Sequence, residues 1–278
     1  YPKGLTYRGQ VNKLGNIDFF LQLPAPFYSC RHNTKKSTSM STHKNKSASF
    51  FSDHGYVVVK IPALNEYVAT IKKEFEDHIR PRFKDNFAVN RSLIKRFAES
   101  PRVMSIYQKP ELLELLENIA GITYPVYCGP IVSHYTANDL TGSAYGLPWH
   151  QDYPSMASSK KSVICWVALS ESGPNTHGLN ILKGHHKSGL LSGIQTDQGY
   201  KINYDESYRS QEVIPVMAAG DLVIMSSYTP HRTYVNENYS GWKLSFSHRF
   251  DCLNDVEWGE RGYVNSYNIS VDRDLYLK

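Results

Sequence analysis

The chain has 278 residues, of which 41% are hydrophobic and 21% charged, with a formal net charge of +5. This composition can bury a core and excludes a chain that is disordered throughout. The length suits one large domain, or one domain with an extension. The mild positive charge is compatible with anionic small molecules. No basic stripe interleaved with aromatic residues indicates nucleic-acid binding, and no apolar run indicates a membrane span.

The four cysteines are spread through the chain without a C-x-x-C pair, at positions 30, 128, 165 and 252. This spacing predicts reduced thiols, and therefore the cytoplasm or another reducing compartment. The chain begins at Tyr1 rather than Met, so the sequence is compatible with a leader that has been removed.

Residues 1–49 are predicted to form an N-terminal extension. Residues 50–278 are predicted to form one compact domain that contains the functional site. Within the extension, residues 29–49 are rich in Ser, Thr, Lys and His and contain no acidic residue, which is typical of a polar linker. The domain opens with a β-branched run after Gly55, which predicts a strand.

Helical periodicity follows. One apolar stripe runs from Pro62 to about residue 83, a second helix is predicted over about 90–99, and a third runs from Pro110 to Ala120 and ends at Gly121. Beyond Val126, short apolar runs alternate with turn residues, at about 126–135, 161–169, 179–182, 211–217, 221–227 and 242–250. The pattern predicts a mainly β fold in which a helical N-terminal half packs on a jelly-roll-type double sheet.

The chemistry is indicated by His150-Gln151-Asp152 and by His231 in Thr229-Pro230-His231. A His and an Asp two residues apart on an extended strand point to the same side. A second His from a distant strand completes two imidazoles and one carboxylate, the ligand set of non-haem Fe(II) oxygenases, which leaves three metal positions open. The alternative is that His150 caps a strand and His231 lies in a turn. His185 and His186, which have no carboxylate at a matching spacing, are interpreted as structural.

A carboxylate-binding face is predicted on the strand over residues 242–250. With a period of two, Lys243, Ser245, Ser247 and Arg249 share one side. Lys243 with Ser245 would supply the cation and hydroxyl that hold the carboxylate of a co-substrate such as 2-oxoglutarate. Because Lys is a point charge whereas Arg binds a carboxylate with two donors, Arg249 is a second candidate anchor. The alternative is that these polar residues lie on a strand face that is exposed to solvent and bind no ligand.

At about residues 50–250 the sequence resembles the phytanoyl-CoA dioxygenase-like family of Fe(II)/2-oxoglutarate oxygenases. The resemblance is carried by ordered motifs: residues 51–58 (FSDHGYVV), 149–152 (WHQD), 165–169 (CWVAL), 178–187 (GLNILKGHHK), Gly220-Asp221, His231 and the strand over 242–250.

The resemblance implies a double-stranded β-helix, also called a jelly-roll or cupin-like core, flanked by helices. It implies Fe(II) held by His150, Asp152 and His231, with 2-oxoglutarate and O2 as co-substrates. It places 2-oxoglutarate near Trp166 and the Lys243/Ser245 position, where the family usually carries Arg, and it adds His134 as a further contact. Halogenating relatives replace the carboxylate ligand, so Asp152 argues against halogenation.

The predicted function is oxidation of an unactivated C–H bond of a small polar metabolite, carboxylated and amino-acid-like. The outcome is hydroxylation, or desaturation or oxidative cyclisation, with release of succinate and CO2. Tyr153 and Arg232 are the predicted substrate contacts. The predicted partner is a small molecule, not a nucleic acid or membrane, and the sequence does not indicate an oligomeric state. Three alternatives stay open: an acyl-CoA hydroxylase of the same family, a non-redox metal-binding β-barrel protein, and a Zn or Mn hydrolase or isomerase.

Overall fold

The computed structural model describes residues 38–138, 146–156, 158–196, 199–260 and 262. Helices and one strand occupy the first part of this range: α1 Thr38–His54, β1 Tyr56–Val59, α2 Pro62–Glu74, α3 Phe87–Ala98, α4 Pro101–Met104 and α5 Pro110–Ala120. A π-helical turn (Phe75–Ile79) and a 3-10 turn (Arg80–Arg82) extend α2. Gly121 ends α5 in the left-handed conformation, with φ 69°, which glycine adopts without a Cβ penalty.

Short strands follow, with two short helices. They are β2 Pro125–Tyr127, β3 Val132–Ala137, α6 Tyr153–Met156, β4 Val163–Ala168, β5 Gly178–Leu182, β6 Gly193–Thr196, β7 Gly199–Ile202, β8 Glu212–Val213, β9 Leu222–Ser226, β10 His231–Tyr234, β11 Trp242–Cys252 and α7 Val256–Glu260. The predicted helices and most of the predicted strands therefore form near their expected positions.

Two antiparallel sheets organise the described residues. The main sheet has the order β1-β9-β4-β11-β2, and β3 also pairs with β11. The minor sheet has the order β10-β5-β8, and β6 pairs with β7 in a hairpin. A bridge at His150, paired on one side with Lys201 of β7 and on the other with His231 of β10, links the hairpin to the minor sheet. The minor sheet is therefore continuous through residue 150.

Strand alternation divides the core into two layers. Along β4, Val163, Cys165 and Val167 pack with the helices, in a cluster that includes Leu64 and Leu116. The intervening residues Ile164, Trp166 and Ala168 pack with Leu179 and Ile181 of the minor sheet. The main sheet is buried on both faces, which explains why β4 reads as a continuous apolar run. The result is a layer of helices, the main sheet and then the minor sheet.

Three expectations need correction or stay untested. Residues 38–49, expected within a polar linker, are helical, because α1 packs against α5 and β1 and tertiary contacts override the weak helix propensity of Ser and Thr. Residues 1–37 lie outside the described range, so the helical N-terminal half as a whole and the boundary at residue 50 stay predictions. Within the described residues, no helix is long and apolar enough to cross a bilayer.

Candidate metal centre

The two histidines meet because the backbone pairs them directly. The amide of His150 donates to the His231 carbonyl at 2.9 Å, and the amide of His231 donates to the His150 carbonyl at 3.0 Å. Their ring centroids lie 4.2 Å apart. His231 opens β10 in the minor sheet, after a turn over residues 227–230 that follows β9 of the main sheet.

Each imidazole is oriented by a carbonyl from its own segment. Nδ1 of His150 lies 2.8 Å from the Pro148 carbonyl oxygen, and Nδ1 of His231 lies 2.9 Å from that of Thr229. A proton on each Nδ1 satisfies these contacts and leaves each Nε2 as a metal-binding lone pair. Burial and the neighbouring His150 lower the pKa of His231 to about 4, so its imidazole is neutral, as a metal ligand must be.

Asp152 reaches the same point from a bend rather than from the expected strand. Its carbonyl accepts from the Met156 amide at 3.0 Å, so the residue leads into α6. Oδ1 lies 3.5 Å from Nε2 of His150, and Oδ2 accepts from Nη2 of Arg249 at 2.8 Å. Burial alone would raise the pKa of the Asp152 carboxyl, but Arg249 and the two histidines hold it well below its ordinary value.

The three donors converge as the sequence predicts. One ligand atom from each of His150, Asp152 and His231 lies within 4.8 Å of the others, and all three residues are buried. In the part of the chain that the structure describes, no other group of His, Cys, Asp and Glu meets this criterion. Two imidazoles and one carboxylate with open positions fit Fe(II).

The main sheet supplies the opposite wall of the cavity. Lys243 of β11 is 2% exposed, and its Nζ donates to the Gly178 carbonyl at 3.3 Å. The same amine lies 5.2 Å from the centre of the Trp166 ring. Burial lowers the pKa of Lys243 to about 7. Lys243 and Trp166 therefore lie together on the wall of the cavity that the three metal-ligand candidates also line.

A second polar group stands beside Asp152. Nη1 of Arg249 donates to the Ser247 hydroxyl at 2.9 Å, and that hydroxyl lies 2.9 Å from Nε2 of His134. His134 lines the cavity, and burial together with Lys243 and Arg249 lowers its pKa well below the ordinary value. Ser245 does not line the cavity; its hydroxyl is directed to the His134 carbonyl at 3.5 Å. Ser247 provides the hydroxyl at the cavity instead.

The two predicted substrate contacts are placed differently. Tyr153 is buried and stacks on Tyr228 with ring centroids 4.2 Å apart, and it does not line the cavity. Arg232 borders the cavity, but on β10 it alternates with His231, and its Nη2 pairs with Glu212 at 3.3 Å. Its guanidinium covers the Trp149 ring at 4.8 Å. Proximity in sequence to a ligand did not predict the direction of either side chain.

Gln151 is a site residue that sequence reasoning missed. It is 1% exposed, and its amide donates to the carbonyls of Gly189 at 2.8 Å and Tyr228 at 2.6 Å. Its Oε1 accepts from the Leu191 amide at 2.8 Å. Its position between two metal-ligand candidates could have predicted its burial. A polar residue whose two neighbours are buried is itself buried and needs hydrogen-bond partners there.

The cavity lies between the two sheets, and apolar side chains form most of its remaining wall. The lining residues not yet placed are Leu147, Ile164, Leu179, Met225 and Thr233.

The chain was compared with known proteins. The family model described as phytanoyl-CoA dioxygenase matches residues 51–241. No curated protein sequence matches the chain. Solved structures resemble it at low identity, which shows a shared fold. The epimerase SnoN in complex with Fe3+, alpha ketoglutarate and nogalamycin RO is 16% identical, covers 76% of this chain and 84% of its own, and has a TM-score of 0.56.

Two further structures are similar. The non-heme monooxygenase ThoJ, in its apo form, is 18% identical over 74% of this chain and 77% of its own, with a TM-score of 0.56. EctD from S. alaskensis, with 2-oxoglutarate and 5-hydroxyectoine, is 15% identical over 80% of this chain and 78% of its own, with a TM-score of 0.56.

Proposed function

Because the chain belongs to the phytanoyl-CoA dioxygenase family of iron- and 2-oxoglutarate-dependent oxygenases, we propose that it oxidises an unactivated C–H bond of a small molecule. In the balanced reaction, one oxygen atom of O2 enters the succinate that forms from 2-oxoglutarate with loss of CO2. The other oxygen atom becomes the hydroxyl group of a hydroxylated substrate, or leaves as water with two substrate hydrogens when the substrate is desaturated or cyclised. The observation that carries the proposal is the convergence of His150, Asp152 and His231 in one buried cavity.

We propose that the two facing sheets are a double-stranded β-helix, the jelly-roll core of this family. The apolar layer shared by β4, β9 and β5 supports this topology. In this arrangement the minor sheet and its bridge at His150 carry the two histidine ligands, the bend before α6 carries Asp152, and the main sheet carries Lys243, Arg249 and Trp166. The active site is then the space between the sheets at one end of the sandwich.

In the proposed mechanism, His150, Asp152 and His231 would hold iron, which would supply the redox chemistry of oxygen activation. Lys243 binds the distal carboxylate of 2-oxoglutarate, since its buried amine donates to a carbonyl and lies over an indole ring. Trp166 supports that amine, and His134 and Ser247 complete the polar wall beside it. Apolar lining residues exclude water from the reacting carbon.

The cavity wall supports a broader class of substrates than the carboxylated metabolite predicted from the sequence. Among the described lining residues the cations are Lys243, Arg249 and Arg232, and the last two are paired with Asp152 and Glu212. A substrate carboxylate would therefore compete with the co-substrate for Lys243. The described wall favours a substrate that presents an uncharged carbon skeleton to the metal. The small polar, carboxylated metabolite stays a prediction.

The test is iron- and oxygen-dependent release of succinate. Asp152→Ala should lower the rate by more than about 100-fold, because even groups that only support metal ligands contribute about 10–100-fold. Asp53→Ala is the matched control, since that carboxylate is exposed and pairs with Lys187 at 3.2 Å, outside the cavity. Full turnover by Asp152→Ala would exclude the proposed function, and product mass spectrometry would identify the reaction outcome.

A further inference from the structure

Arg249 is placed to control how Asp152 binds the metal. Resting on the proposed function, we infer that Arg249 is a positioning residue that restricts Asp152 to one metal bond and so keeps three coordination positions open. Two of these positions are needed by the 2-oxo acid end of 2-oxoglutarate and one by O2. A carboxylate that bound through both oxygens would occupy one of them.

The two oxygens of Asp152 have different partners. Oδ1 faces Nε2 of His150 at 3.5 Å, on the side where the metal ligands converge. Oδ2 accepts a charge-assisted hydrogen bond from Nη2 of Arg249 at 2.8 Å. The guanidinium thus occupies the oxygen that would otherwise turn to the metal, which fixes the carboxylate plane before any metal binds.

Arg249 is itself held on its other side. Nη1 donates to the Ser247 hydroxyl at 2.9 Å and to the Ser247 carbonyl at 3.3 Å. The hydroxyl also contacts Nε2 of His134 at 2.9 Å. Lys in this position would be a point charge and could not donate to Asp152 and Ser247 from two fixed nitrogens. The planar guanidinium therefore holds the Asp152 carboxylate in a fixed position relative to β11.

Burial makes this contact consequential. Asp152 is 5% exposed and Arg249 3%, so water cannot replace the guanidinium as a donor to Oδ2. Removing one partner of a buried ion pair leaves the other uncompensated. Without Arg249, the bound metal is the partner that would best compensate the charge on Oδ2. This predicts a change from one to two Asp152–metal bonds.

The experiment compares wild type with Arg249→Met and Arg249→Lys. Mn(II) binding by calorimetry should change less than about tenfold in Arg249→Met, because the second oxygen compensates for the lost support. The affinity of the Mn(II) protein for 2-oxoglutarate should fall about 10–100-fold. Arg249→Lys, which returns a cation, should give an intermediate loss. A crystal structure of the Mn(II) form should show both Asp152 oxygens on the metal in Arg249→Met and one in wild type.

A second co-substrate separates positioning from direct anchoring. 2-Oxobutyrate has the metal-binding 2-oxo acid but no distal carboxylate. If Arg249 positions Asp152, its variants lose affinity for both 2-oxo acids by similar factors. Lys243→Ala is the control, since an anchor variant should lose affinity for 2-oxoglutarate and keep that for 2-oxobutyrate.

The possible results are distinct. A loss in the Arg249 variants that is confined to 2-oxoglutarate would overturn the inference, because Arg249 would then hold the distal carboxylate. Unchanged 2-oxo acid affinity with Asp152 still bound through one oxygen would overturn it as well. If Arg249→Met does not fold, Arg249→Lys decides by the same measurements. Failure of the wild type to bind either the metal or 2-oxoglutarate would instead refute the proposed function.

Discussion

At the scale of single residues, Lys243 is the side chain whose behaviour depends most on its surroundings. Its amine is buried, and no carboxylate of the described residues is paired with it; its hydrogen-bond partner is the Gly178 carbonyl. The charged groups that act on the same pocket wall are Arg249 and Asp152, with His134 beside them. Desolvation without a counter-charge lowers an amine's pKa, here to about 7.

Co-substrate binding should therefore depend on pH. Above pH 7 the free amine is neutral, whereas a bound carboxylate favours its charged form, so binding takes up a proton. The dissociation constant of 2-oxoglutarate should rise about tenfold per pH unit above pH 7. Lys243→Arg should lose this slope, because Arg stays protonated. Titrations of the Mn(II) protein from about pH 6.5 to 9 check this, and equal slopes in both proteins would contradict it.

The residue-level predictions succeeded where a strand's alternation was enough. The period of two places Lys243, Ser247 and Arg249 on the cavity side of β11, while Leu244, Phe246 and Phe250 pack towards the helices. The sequence could not assign the role of Arg249, because its partner Asp152 lies 97 positions away. Pairing across that separation is decided by how the sheets stack, which a local pattern does not contain.

At the scale of secondary-structure elements, Gln151 joins three segments that bear on the metal site. Its side chain binds the turn before β10 through Tyr228 and the loop at Gly189 and Leu191, while its backbone lies between two ligands. The ligand-bearing segments are thus connected by one buried amide. Three satisfied hydrogen bonds in a dry environment contribute about 2–4 kcal/mol together.

Replacing this side chain should loosen both ligand segments. Gln151→Ala should lower the free energy of unfolding by about 2–4 kcal/mol. It should also weaken metal binding, because the segments carrying His150 and His231 keep their backbone hydrogen bonds but lose the side-chain link that supports them. Gln195→Ala is the matched control, since Gln195 is exposed and its side chain donates to the neighbouring Thr196 carbonyl. Urea unfolding and Mn(II) titration measure both effects. Equal behaviour of the two variants would show that the link has no role.

The junction between α1 and β1 depends on a glycine. Gly55 has φ +79°, and a Cβ there would lie 2.4 Å from Nδ1 of His186 and 2.7 Å from Oγ1 of Thr229. Gly55→Ala should cost about 2–4 kcal/mol of unfolding free energy from backbone strain and crowding. Gly121→Ala, with φ +69° and no atom within 4 Å of the added Cβ, isolates the strain at about 1–2 kcal/mol. If urea unfolding gave equal losses of unfolding free energy for Gly55→Ala and Gly121→Ala, the predicted steric crowding at Gly55 would be refuted.

Helices and strands were predicted correctly where the spacing of apolar residues was regular. The helix over Pro110–Ala120 and its stop at Gly121 were predicted correctly because an apolar stripe and a C-terminal glycine coincide there. Helix α1 was missed because its polar composition resembles a linker and its contacts with α5 are not local. The hairpin β6–β7 was missed because its strands have four residues each and only one of the eight residues is buried.

At the scale of the whole molecule, the site exists because two sheets face one another. The minor sheet and the bridge at His150 carry the two histidine ligands, and the bend before α6 carries Asp152. The main sheet, backed by helices, carries Lys243, Trp166 and Arg249. Neither sheet alone contains both the metal ligands and the polar wall. Metal binding should therefore report on correct stacking of the layers as well as on the three ligands.

The most direct test of this account is an anaerobic titration of the purified protein with Fe(II) and then 2-oxoglutarate, followed by visible absorption. One Fe(II) per chain should bind, and 2-oxoglutarate should then produce a weak charge-transfer band that is absent from His231→Ala. A wild-type protein that binds iron but forms no band, or a band that survives the loss of His231, would contradict the assignment of His150, Asp152 and His231 as the metal centre.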